Sequence, residues 1–73
     1  MSETVRVYVN AQPLDVPRGA TVEEALRHWN AAEAGAVSRG ERAVTDSRGL
    51  PASLAGEVVP GSIFRVVGAR AAT

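Results

Sequence analysis

Few side chains in this sequence are of a type and spacing that could do chemistry. His28 is the only imidazole, and no Asp or Ser stands at a triad or metal-ligand spacing from it. It reads as an exposed helix histidine beside an apolar neighbour, Trp29. The chain has no cysteine, which excludes disulfides, thiolate metal sites, iron–sulfur clusters and cysteine nucleophiles. Asp46, Ser47 and Arg48 form a polar group of the kind that loops use for binding. Asp46 first and Gly49 fourth is also the residue choice of an ordinary β-turn, which accounts for them without a ligand. Gly19 stands alone before a helix, outside any G-x-x-x-x-G-K-[ST] phosphate frame. The sequence therefore offers no catalytic residue, no metal-ligand set and no cofactor site.

The elements that would position anything else are readable from periodicity. Thr21 and Glu24 have capping-box spacing, and Val22, Ala25, Leu26 and Trp29 follow at i, i+3, i+4 and i+7. They predict one main helix with an apolar stripe ending on a core tryptophan. Val5, Val7 and Val9 alternate with Arg6, Tyr8 and Asn10, the period-2 pattern of a strand. A reversal at Asn10, Ala11 and Gln12 returns the chain through Leu14 and Val16 to Pro17 as an N-terminal hairpin. Asn30 and Glu33 repeat the cap spacing, so a short second helix is expected up to Gly40. Arg42 to Thr45 reads as a third strand and Leu50 as the start of a brief fourth, an edge strand because of Pro51. Val59, Pro60, Gly61 and Ser62 fit a type II turn leading into a last strand, Ile63 to Val67, with Phe64 and Val66 facing inward.

Seventy-three residues make one domain whose core must use almost every large apolar side chain. Eight basic residues, all Arg, balance eight acidic ones, with no run of either sign. That argues against nucleic acid or an anionic membrane as the main partner. No apolar run approaches the roughly 20 residues of a membrane span, and the N-terminus lacks a basic n-region followed by a long apolar stretch. A cytoplasmic protein is expected. Residues 1–68 form the expected domain and 69–73 a flexible tail.

Hairpin, capped helix, short strands, Pro-Gly turn and final strand follow the order of a β-grasp domain. This is an α+β, ubiquitin-like fold with a mixed four- to five-stranded sheet on one main helix, here with a short second helix. VYVNAQPLDVPRGATVEEAL resembles the opening of the small ubiquitin-like sulfur carriers of thiamine and molybdopterin synthesis, and GEVVPGSIFRVVGA resembles their last turn and strand. Similar openings occur in TGS domains and in β-grasp ferredoxins, the latter excluded here by the lack of cysteine. The carriers end in Gly-Gly, which an E1-like enzyme adenylates before it becomes a thiocarboxylate. Gly68 matches one glycine of that pair, Ala69 replaces the next, and Arg70 to Thr73 extend beyond it.

First and last strands are neighbours in β-grasp folds, so the resemblance places Arg6 and Tyr8 beside Ile63, Arg65 and Val67 on the solvent face. Tyr and Arg among aliphatics is a composition enriched at interface centres, and relatives dock their activating and acceptor enzymes through this face. The expectation is a non-catalytic interaction module with a protein partner, for example an E1-like adenylyltransferase or a biosynthetic enzyme, and with neither nucleic acid nor membrane. One alternative is a true sulfur carrier with Gly68 and Ala69 as an atypical tail. The other is a TGS-like regulatory or ligand-binding domain.

Overall fold

The structure is a computed structural model that describes residues 3–68. Six elements follow in chain order: β1 (Thr4–Val9), β2 (Gln12–Pro17), α1 (Val22–Trp29), α2 (Ala31–Ser38), β3 (Arg42–Asp46) and β4 (Ile63–Gly68). The strands form one mixed sheet in the order β2-β1-β4-β3. β1 runs antiparallel to β2 and parallel to β4, and β4 runs antiparallel to β3. The first and last strands thus lie side by side at the centre, a pairing that requires a long crossover, and α1, α2 and β3 supply it. Among the described residues no helix is long and apolar enough to cross a membrane.

The helices begin where the cap spacing places them. Thr21 Oγ1 accepts from the Glu24 N–H at 3.2 Å and the Glu24 carboxylate accepts from the Thr21 N–H at 2.9 Å, so each of two otherwise unpaired amides is satisfied by the other residue's side chain. Asn30 serves both helices: its N–H donates to the Leu26 carbonyl at 2.7 Å and its side-chain oxygen accepts from the Glu33 N–H at 3.1 Å. α2 ends at Gly40, whose φ of +82° lets Glu41 donate back to the Ala36 carbonyl at 2.9 Å. At the Pro60–Gly61 turn, Gly61 has φ +86° and the Ser62 N–H donates to the Val59 carbonyl at 3.0 Å.

One face of the sheet receives both helices. Val5, Val7 and Val9 of β1, Val16 of β2, Val44 of β3 and Phe64 of β4 meet Val22, Ala25 and Leu26 of α1 and Ala34 and Val37 of α2. Val58 joins this core from the loop before β4, although no alternation in the sequence marks it. Leu26 is the largest fully buried side chain. Trp29 does not fill the centre as the apolar stripe suggests. It lies half-buried at the rim, where its indole N–H donates to the Gln12 side-chain oxygen at 2.7 Å. A bulky ring at the last position of a short helix overhangs the sheet and keeps its polar atom at the surface.

The sheet has four strands, the lower of the four to five expected, without the brief strand at Leu50. The segment around Leu50 contributes only an isolated bridge between Thr45 and Pro51, because proline has no N–H with which to continue a ladder. The flexible tail expected at 69–73 lies outside the described residues.

Candidate functional site

A sheet can bind a partner along an edge or across a face, and here both edges are obstructed. The register turns the amides of Pro13, Asp15 and Pro17 outward from β2, and two of those three residues have no N–H to offer. The outer side of β3 is occupied in part by its own loop: Asp46 donates to the Leu50 carbonyl at 2.8 Å and Ala52 donates to the Val44 carbonyl at 3.0 Å. What remains is the face opposite the helices.

That face is laid out by the pairing register. Tyr8 sits between Pro13 and Ile63, Arg65 lies opposite Thr45, and Val67 lies opposite Ala43. The sheet therefore brings Tyr8, Ile63 and Arg65 together at the centre of this face, with Arg6 and Val67 at its two ends. Arg6 leans the other way, donating to both Asp15 carboxylate oxygens at 3.0 and 3.3 Å. That hydrogen bond, with the attraction of opposite charges, raises the Arg6 pKa and holds the Asp15 carboxyl below its ordinary range. Val67 is exposed but stands two residues beyond Arg65, about 20 Å along the strand direction from the Arg6 row at roughly 3.3 Å per residue.

Leu50, Val59, Ile63 and Val67 are the exposed large apolar side chains among the described residues. Ile63 is 46% exposed and Tyr8 is half-buried beside it. Arg6, Arg18, Arg27, Arg39, Arg42 and Arg48 each face a carboxylate at 2.6 to 3.9 Å. Among the described residues Arg65 is the one arginine without an ion pair.

Three residues extend this group into a groove: Ser47, which the sequence marks only as part of a polar turn, and Asn10 and Ala11, which it marks only as a reversal, line it together with Tyr8, Ile63, Phe64 and Arg65. Asn10 and Ala11 are the two central residues of the β1–β2 turn, with φ of 50° and 69°, the left-handed conformation that hairpin turns of this length require. Asn10 tolerates it, whereas Ala11 carries a methyl group where glycine would be less strained, at a cost of about 1 kcal/mol. The Asn10 side chain adds a rung to the sheet. The Asn10 backbone N–H donates to the Phe64 carbonyl at 3.0 Å and the side-chain oxygen accepts from the Val66 N–H at 2.9 Å, after β1 itself has turned away. The only signal for this in the sequence is an Asn at a two-residue reversal.

The remaining candidates lie elsewhere. His28 is exposed on α1. Asp46 is consumed by its own turn, accepting from the N–H groups of Arg48 and Leu50 at 2.9 and 3.1 Å and from the Arg48 guanidinium at 3.1 Å. The Leu50 N–H is the main cause of its lowered pKa. Gly68 belongs to β4, opposite Arg42, and Ala69 lies outside the described residues. Among the described residues no three His, Asp or Glu side chains gather as metal ligands.

The chain matches no protein-family model and no curated protein. Any functional reading of the groove therefore stands on its own geometry and on the wording of the sequence.

Proposed function

We propose that this chain is a non-catalytic β-grasp module that docks a partner protein through the open sheet face around Tyr8, Ile63 and Arg65. The observation that carries this reading is the exposed isoleucine flanked by a tyrosine and by an arginine that has no ion pair among the described residues, all on the two central strands. Aromatic and Arg anchors next to aliphatic surface are the residues that dominate interface energetics. The obstructed edges support docking across the face instead of strand addition. The hairpin, capped helix and parallel central pair agree with the β-grasp order, and the sulfur-carrier wording at both ends of the sequence supports kinship with those carriers.

Photocrosslinking tests this. A photoreactive phenylalanine analogue at position 8 or 63 should link one common protein in extracts of the source cell, and the same analogue at His28 should not. The linked protein, once purified, should bind wild type and lose affinity about fivefold or more with Tyr8→Ala and with Ile63→Ala, the size of a 1 kcal/mol contact. Crosslinks that are equal from His28, or affinity indifferent to both substitutions, would overturn the reading. Incubation with ATP and an E1-like activating enzyme separates the main alternative, because exchange of a terminal carboxylate oxygen for sulfur in the intact mass would make the chain a carrier.

A further inference from the structure

The hydrogen-bonding character of the groove narrows the partner, an inference that rests on the docking reading above. The polar side chains along its walls can all donate. Arg65 presents five N–H groups and no acceptor. The Asn10 side-chain oxygen is already committed to the Val66 N–H, which leaves its amide NH2 to donate. Tyr8 and Ser47 add hydroxyls. Among the described residues no carboxylate lines the groove. The one acidic residue on the β1–β2 part of this face, Asp15, is held by Arg6, about 13 Å along the strands from the Arg65 row. The other six described arginines have counter-ions. A guanidinium among unspent donors, with Ile63 and the Ala11 methyl next to it, is complementary to a carboxylate carried beside an aliphatic side chain. A polyanion is a poor match, since the groove presents a single cation among the described residues, in a chain of zero net charge, and cannot neutralise a phosphate backbone.

We propose that the groove takes an acidic–aliphatic segment of its partner: an Asp or Glu paired with Arg65, adjacent to a Leu, Ile or Val seated on Ile63 and Ala11. The probe is a displayed library of random linear peptides, selected in parallel on wild type and on Arg65→Glu. Both proteins should first be shown to unfold at the same urea midpoint. Peptides from wild type should be enriched in Asp or Glu next to aliphatic residues and should lose affinity about tenfold or more for Arg65→Glu. Arg65→Lys should bind with intermediate affinity, because it keeps the charge and loses the fork. Absence of acidic enrichment, or equal selection by Arg65→Glu, overturns the proposal. If the selected peptides weaken with Tyr8→Ala and Ile63→Ala but ignore Arg65→Glu, the docking face stands and the carboxylate falls. If they ignore all three substitutions, the docking reading itself falls. Self-association abolished by Arg65→Glu would make a second copy the occupant, and would also overturn the proposal.

Discussion

Replacing Asn10 separates two contributions that the structure assigns to one residue. Asn10 holds a left-handed backbone at φ 50° and its side-chain oxygen receives the Val66 N–H at 2.9 Å. Asn10→Gly keeps the backbone conformation and deletes the hydrogen bond, which has a net worth of about 1 kcal/mol for a half-buried amide that water can partly reach. Asn10→Ala deletes the same bond and also places a Cβ in the left-handed region, adding about 1 kcal/mol. The expected losses are therefore about 1 kcal/mol for Gly and about 2 kcal/mol for Ala. For a chain of 73 residues, whose total stability is on the order of 4–11 kcal/mol, the Ala variant would be plainly weakened. Urea unfolding followed by Trp29 fluorescence reads both, because the indole is bonded to Gln12 next to the turn. Equal midpoints for the two variants would remove the backbone contribution. Two wild-type midpoints would show that the Asn10 rung holds nothing. Asn10→Asp should keep an acceptor for Val66 and near-native stability, while setting a carboxylate next to Arg65.

Leu26→Ala should cost about 3–5 kcal/mol, since Leu26 is fully buried, whereas Trp29→Ala at the rim should cost about 2 kcal/mol; calorimetric melting that reversed this order would place Trp29 in the core. Thr21→Ala should cost about 0.5–2 kcal/mol through loss of the cap, checked by the shift of the urea midpoint. The Asp46 carboxyl has a folded pKa below its ordinary 3.8, chiefly because of the Leu50 N–H, so its stabilisation is complete above that value and lost as pH falls through the lowered one. Asp46→Asn should therefore flatten the decline of the urea midpoint between about pH 4 and pH 2, leaving the parts due to Asp15 and Glu41, whose pKa values are also lowered. An unchanged slope would refute the Asp46 contribution.

What was legible in the sequence was local. The Thr21–Glu24 spacing starts α1, Asn30 divides the two helices, Gly40 and Gly61 sit where positive φ is needed, and alternation in β4 sends Phe64 inward. The split of the candidate face was not legible, because it depends on cross-strand neighbours. Nothing in the spacing of Arg6 shows that Asp15 will be its register partner, or that the β1–β4 register will set it four rows from Arg65. The groove was hidden for the same reason. The Asn10 contact spans 56 residues of chain, and Ala11 adopts positive φ without the glycine that would announce it. Trp29 follows the helical stripe faithfully, but periodicity gives a direction and not a depth.

Pro13 and Pro17 also bear on how the chain behaves in a crowd of its own copies. A strand that presents one amide where three are needed cannot template the addition of an identical strand, and the capped outer side of β3 limits growth there. Polymerisation by sheet extension is thus suppressed on the backbone itself, independently of net charge, which at zero gives no repulsion between molecules. That leaves the face chemistry free to remain adhesive. A groove rimmed by exposed isoleucine can be kept for a partner without the protein consuming itself as fibre.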